Sequence, residues 1–194
     1  MITAVLIASG FSERMGREKL LLPIDGVPMI QRIAMTLHQS RAEERILVYR
    51  NPEVKKTAGD YVHQAILNET AALGQSEAVK LGVKKANPQS AGYLFVMGDQ
   101  PLLSVEVVNQ LIETHQEHPC RILRPVYADQ PGNPVLFPSD YREQLLKLEG
   151  DQGGKVIMQV NRQAVLDCPF DCREAGLDAD TWEAYQQLTR KLES

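Results

Sequence analysis

Ile2-Thr3-Ala4-Val5-Leu6-Ile7-Ala8-Ser9-Gly10-Phe11-Ser12-Glu13-Arg14-Met15-Gly16-Arg17-Glu18-Lys19 is the stretch whose reading sets the fold. Ile2 to Ala8 is a short apolar run and reads as a buried strand. It breaks directly into small residues, hydroxyls and two spaced cations, which suits a nucleoside triphosphate. Glycines and small side chains let backbone N–H groups approach phosphate oxygens. Arg14 and Lys19 then neutralise the charge those oxygens carry. The spacing excludes two familiar alternatives. No G-x-x-x-x-G-K-[ST] is present, so this is not a Walker-type loop, and Gly10 and Gly16 do not fit the dinucleotide fingerprint G-x-G-x-x-G.

The chain has 194 residues, the size of one domain, 1–194. A formal net charge of −4 excludes a nonspecific nucleic-acid binder. The apolar start is too short for a membrane span and has no basic region before it, so a cytoplasmic location is expected. Three cysteines, Cys120, Cys168 and Cys172, are too few for a disulfide framework and read as free thiols. His115 and His118 share the end of an expected helix, have no third ligand in view, and read as an exposed helix terminus.

Outward from the first strand, apolar runs alternate with amphipathic segments. Strands are expected over Ile2–Ala8, Arg45–Tyr49, Gln64–Leu67, Gly92–Met97, Arg121–Val126, Pro134–Phe137 and Ala164–Asp167. Helices are expected from Pro28 to Gln39, over Pro52–Tyr61, Gln75–Ala86 and Val105–His115, over Asp140–Leu148 and Lys155–Val160, and from Thr181. Pro28 suits a first helical turn and Ser104 a cap. The turn between Val126 and Pro134 joins a strand pair. This alternation implies a layered α/β domain with a mainly parallel sheet. Ligands of such sheets sit at the carboxyl ends of the strands, so residues after Ala8, Met97 and Val126 are site candidates.

Gly98-Asp99-Gln100-Pro101 follows one of those strands. A carboxylate at the end of a buried strand costs desolvation energy unless it has a partner. Asp99 either caps a turn with Pro101 or holds a divalent cation such as Mg²⁺, which favours a few carboxylates plus phosphate oxygens. The phosphate loop upstream favours the cation.

Residues 6–19 resemble the signature L-A-A-G-x-S-x-R-M-G-x-x-K of the nucleotidyltransferases that build molybdenum-cofactor dinucleotides. Ile7 and Ser9 stand where that signature has small residues. Gly98-Asp99-Gln100-Pro101 is similar to the family's G-D-x-P element, whose Asp binds Mg²⁺. Gly132-Asn133-Pro134 resembles its G-H-P turn, and Gly150-Asp151-Gln152-Gly153-Gly154-Lys155 resembles its acceptor-facing G-D-x-G-x-[RK] element. Asp178-Ala179-Asp180-Thr181-Trp182-Glu183 resembles its closing D-x-D-T-P-E motif, with Trp182 for Pro. Asp180 precedes a helix with Glu183 three residues on, so it is expected to cap that helix, which leaves Asp178 as the second metal ligand. Gly74 matches a family Gly. The cytidylyl branch's base-reading Ser aligns with Ala78 here, and Ser76 lies close by.

The resemblance implies a three-layer α/β/α, Rossmann-like sheet of the nucleotide-diphospho-sugar transferase type. It implies a Mg²⁺-dependent enzyme that transfers CMP from CTP to the phosphate of a molybdopterin-type molybdenum cofactor and releases pyrophosphate. Arg14, Lys19 and Asp99 would be catalytic, and Asp99 and Asp178 would hold the metal. Ala8, Ser9, Gly10, Ser12, Arg14, Gly16, Lys19, Gly74, Ser76 and Gly98 would bind the nucleotide. Gly132, Asn133, Pro134, Asp151 and Lys155 would bind the acceptor. Ala8-Ser9-Gly10 is nearer A-A-G than the A-G-G of the guanylyl branch, hence CTP over GTP. The alternatives are a guanylyltransferase, a sugar- or polyol-phosphate nucleotidyltransferase, and a noncatalytic protein delivering cofactor to a client of the xanthine dehydrogenase type.

Overall fold

β1 (Ile2–Ala8) is buried along its whole length and lies between two parallel neighbours, β4 (Glu44–Tyr49) and β6 (Gly92–Met97). Alternate side chains of a strand point to opposite faces, so a strand without a polar face needs cover on both. Ile2, Ala4, Leu6 and Ala8 enter one apolar cluster, together with α1 (Met29–Gln39), α2 (Pro52–Ala58) and α4 (Val105–Glu117). Val5 and Ile7 enter a second, together with α3 (Gln75–Lys85), α5 (Arg142–Leu146) and α6 (Lys155–Val160). The result is the three-layer α/β/α arrangement expected. The computed structural model describes residues 1–11 and 16–192.

The main sheet runs β10 (Val165–Phe170), β7 (Ile122–Tyr127), β9 (Val135–Pro138), β6, β1, β4, β5 (Gln64–Leu67), with the short β8 (Gln130–Pro131) on β7. A separate ribbon pairs β2 (Pro23–Ile24) with β3 (Val27–Pro28). The sheet is parallel except at β9, which is antiparallel to β6 and β7, and at β8. A parallel return would need a crossover of a dozen or more residues. The tight connection after β7, with Ala128 and Asp129 at positive φ, permits only an antiparallel one. The closing helix, α7 (Trp182–Leu192), completes the described chain.

Most element boundaries agree with the sequence to within a residue or two. Pro28 takes the cap position of α1 rather than its first turn. The helix expected over 140–148 is a 3₁₀ turn followed by the short α5, and β10 extends past Asp167 through Pro169 to Phe170. Ser104 does cap α4, its Oγ accepting from Val107 N–H at 3.4 Å. The three cysteines are free, with Cys168 buried. Among the described residues no helix is long and apolar enough to cross a membrane.

His115 corrects the expectation of an exposed helix end: it is buried, and its Nδ1 has no partner. Burial lowers its pKa from the usual 6.5, partly offset by a hydrogen bond to the backbone of Ala91. The folded state therefore resists a proton that the unfolded chain accepts below about 6.5, and stability falls as pH drops through that value. Urea unfolding of His115→Leu should show a flatter dependence between about pH 7 and 5 than the native chain. Parallel curves would mean that His115 does not contribute to the acid sensitivity.

Candidate active site

A cavity of about 360 Å³ opens at the carboxyl ends of β1 and β6. These strands are adjacent, with Ile7 opposite Met97, so the segments that follow them leave the sheet together. Ile7 to Phe11 form one wall and Met97, Gly98 and Asp99 the next. Lys19 and Leu20 return from the far end of the loop, and Ala71, Gly74, Gln75, Ala78, Asp151 and Asp180 close the space. Gly98 N–H bonds to the Ile7 carbonyl at 3.0 Å, extending the ladder one residue past the strand.

Lys19 occupies the charged centre. Its ammonium donates to Asp99 Oδ2 at 2.8 Å and to Asp180 Oδ1 at 2.6 Å. The Lys19 and Asp99 side chains are only 15% and 17% exposed, so solvent screens this contact weakly. Burial alone would lower the Lys19 pKa, but Asp99 and Asp180 outweigh it and the net shift is upward, so the amine stays charged. Asp178 is pushed up, first by burial and then by the carboxylates of Asp180 and Asp99. Two carboxylates, Asp99 and Asp180, thus meet one ammonium among the described residues.

The expected cap on the last helix is corrected here. Thr181, not Asp180, caps α7: its Oγ1 accepts from Ala184 N–H at 3.2 Å. That leaves the Asp180 carboxylate to meet Lys19, so Asp180 rather than Asp178 lies directly opposite Asp99. Backbone contacts bring the segment there. Ala179 N–H bonds to the Asp99 carbonyl at 3.1 Å, and Gln100 Nε2 bonds to the Gly176 carbonyl at 3.3 Å. Ala179 itself is fully buried in a small cluster with Ile24, Met29 and Leu188.

The two described ends of the loop after β1 share an anchor. Arg50, just past β4, donates to Glu18 at 3.1 Å, and its guanidinium lies over the Phe11 ring at 4.6 Å. Ser9 is buried and its Oγ accepts from Asn68 Nδ2 at 3.0 Å. Asn68, itself tied to the Tyr49 carbonyl at 2.7 Å, is a supporting residue for which the sequence carried no signal.

Ala8, Ser9, Gly10, Lys19, Gly74, Gly98, Asp99 and Asp151 all line this cavity. Ser12 and Arg14 lie outside the described residues, and Gly16 is exposed away from the wall. The structure does not bring Ser76 to the cavity. Its hydroxyl is buried without a partner, and its N–H bonds to the Gly150 carbonyl at 3.1 Å. Gln75 and Ala78 face the cavity instead. Among the described residues, no three histidine, cysteine or acidic side chains form a metal-holding group by themselves.

A second cavity, of about 500 Å³, shares Ile7, Gln75 and Met97 with the first. Gly132, Asn133 and Lys155, three of the residues singled out in the sequence, line it. Pro134 does not line it, and Asp151 belongs to the first cavity. Arg124 also lines the second cavity, and no sequence motif had pointed to it.

Gly74, on the wall of the first cavity, packs against the backbone of Gly150. Its φ of 109° is nearly restricted to glycine, and a Cβ there would lie 2.2 Å from the Gly150 backbone. Gly74→Ala should cost about 1–3 kcal/mol from backbone strain alone, with the collision in addition. Urea denaturation checks this, and a midpoint within error of native would show that the Gly74–Gly150 approach is dispensable.

The MobA-like NTP transferase domain matches residues 4–165. Purine catabolism protein PucB of Bacillus subtilis is 29% identical over 209 residues, covering 98% of this chain and 97% of PucB. Bifunctional protein GlmU of Symbiobacterium thermophilum is 32% identical over 121 residues, which is 60% of this chain but 25% of GlmU. Several curated relatives, GlmU among them, are thus matched over well under half their length. A solved structure of Rv0371c in complex with manganese, from Mycobacterium tuberculosis, superposes with a TM-score of 0.82 at 23% identity. That alignment covers 97% of this chain and 98% of Rv0371c and shows a shared fold.

Proposed function

The chain belongs to the MobA-like NTP transferase family, and on that premise we propose that it transfers CMP from CTP to the phosphate of a molybdopterin-type molybdenum cofactor, releasing pyrophosphate. The observation that carries this reading is the bridge from Lys19 to Asp99 and Asp180 on the floor of the nucleotide cavity. A triphosphate alone would meet excess negative charge from the described carboxylates. A divalent cation removes that conflict, because Mg²⁺ is commonly held by one or two carboxylates plus substrate phosphates. Asp99 and Asp180 are the residues suited to hold it, and the Lys19 ammonium marks the place between them that favours positive charge. Such an ion supplies neutralisation of charge on the phosphate oxygens. The manganese of Rv0371c is in keeping with a divalent site in this fold.

The rest of the work falls to the chain. Lys19 holds the triphosphate, and Gly10, where a Cβ would meet nothing within 4 Å, leaves room for the phosphates near the end of β1. An oxygen of the acceptor phosphate attacks the α-phosphorus, and the bond to the departing pyrophosphate breaks in line. That phosphate is anionic at neutral pH and needs no strong base, in keeping with cavity walls that carry no histidine among the described residues. The rate then comes from positioning and charge neutralisation. Ser9 narrows the base end, which favours CTP over GTP.

The acceptor assignment rests on the resemblance of the first loop and of the turn and helix start that line the second cavity. PucB is named for purine catabolism, which fits a client of the xanthine dehydrogenase type. We place the protein in the cytoplasm, where CTP is made. The partial likeness to GlmU keeps sugar phosphates in the acceptor panel.

Pyrophosphate release should require CTP and molybdenum cofactor together in a panel of the four triphosphates with each acceptor. Release with no combination would overturn the enzyme reading, and a preference for GTP or a sugar phosphate would overturn the substrate reading. Asp99→Ala and Asp180→Asn should each abolish turnover while the fold is kept, with Asp178→Asn milder. A reversed order for the last two would return the metal to Asp178. Lys19→Ala should weaken CTP binding by about 1–3 kcal/mol in calorimetry, the scale of a hydrogen bond to a charged group. Unchanged affinity would leave Lys19 without a role at the triphosphate.

A further inference from the structure

The second cavity runs across the sheet rather than along it. Its floor takes Ile7 from β1, Phe95 from β6, Phe137 from β9 and Arg124 from β7, four strands that are neighbours in the sheet. Three strand spacings separate the ends, which is about 14 Å. At the β1 and β6 end the cavity meets the nucleotide cavity, because Ile7, Gln75 and Met97 line both. The middle is apolar and aromatic, and no acidic side chain among the described residues lines any part of it. Arg124 stands at the far end.

Arg124 is fixed there. It lies opposite Asp167 in the register of β7 and β10, and the pair is bidentate: Nε to Oδ1 at 2.7 Å and Nη2 to Oδ2 at 3.0 Å. With 28% and 51% exposure, such a pair adds at most about 1 kcal/mol to stability, so stability is a poor account of it. Its geometric effect is larger. A guanidinium has five N–H donors, and this pairing uses two. Three remain on an oriented plane at the cavity wall, and no other described residue accepts from them.

We propose that this cavity selects its acceptor by length, and that Arg124, oriented by Asp167, is the specificity-determining residue that receives an oxygen acceptor at the end remote from the reacting phosphate. The matching ligand is an elongated phosphate monoester. Its phosphate lies beside Asp99, the face of a flat ring system rests on Phe95 and Phe137, and a carbonyl or anionic oxygen lies at the far end. A short sugar or polyol phosphate would fill only the near end. The inference rests on the reading of the adjoining cavity as the site of nucleotidyl transfer.

The test measures transfer from CTP to molybdenum cofactor released from a purified molybdoenzyme, with glycerol 3-phosphate as a short competitor. For Arg124→Ala, the KM for the cofactor should rise about 10- to 100-fold, the scale of a lost charge-assisted hydrogen bond. The kcat at saturation, the CTP affinity by calorimetry and inhibition by glycerol 3-phosphate should hold. Arg124→Lys should recover part of the loss, and Asp167→Asn should fall between native and Arg124→Ala. An unchanged cofactor KM in Arg124→Ala overturns the proposal, as does an equal weakening of the short competitor. If the native protein binds cofactor in an Arg124-dependent way but transfers nothing, the transfer reading fails while the length selection stands.

Discussion

A lysine between two carboxylates is the contact on which the site depends. Lys19 comes from the end of the first loop, Asp99 from the end of β6 and Asp180 from the segment before α7. Three distant parts of the chain thus converge within hydrogen-bond reach. Each has a reason to be there apart from the charge. Lys19 starts a 3₁₀ turn whose Leu20 is buried, Asp99 ends a buried strand, and Asp180 follows the fully buried Ala179. Packing brings the charges together, and their attraction then fixes the closing segment against the cavity wall.

The sheet makes that convergence possible by presenting its carboxyl ends as one surface. β1 has no polar face, so it takes the centre and is covered by helices on both sides. Cover is close: a Cβ on Gly82 of α3 would lie 2.4 Å from Val5, so this helix rests almost on the strand. The same helix begins at Gly74 and Gln75, on the cavity wall. Packing of this helix on the sheet therefore sets the position of the first cavity's wall. The reversal at β9 widens the sheet beyond β6 and creates the floor of the second cavity, which no purely parallel continuation would place between β6 and β7.

Supporting contacts keep the polar parts of the site oriented. Asn68 holds the Ser9 hydroxyl, Arg50 ties Glu18 while lying over Phe11, and Asp167 holds Arg124. In each case a residue at a strand end, or in a strand, steadies another that faces a cavity. Individually these contacts add little to stability. Their effect is to hold rotamers, which matters where reacting atoms must be positioned closely.

The sequence by itself determined the layered α/β class and nearly every strand and helix, and it singled out the glycine-bearing loop after β1 and Asp99 as candidate site residues. These signals are local: an apolar run, a helical period, or a cluster of small residues beside cations. It also pointed to the G-N-P turn and the Gly150–Lys155 segment. Only the tertiary structure decided that Thr181 caps α7 and so leaves Asp180 for Lys19, that Ser76 is buried while Gln75 faces the cavity, and that His115 is interior. It alone showed Asn68 behind Ser9 and Arg124 beside Asp167, 59 and 43 residues apart respectively. The physical reason is common to these cases. A polar side chain of given type suits a cap, a metal, a turn or a solvent-facing position equally well, and the choice among them is made by the neighbours that strand order and helix packing place around it.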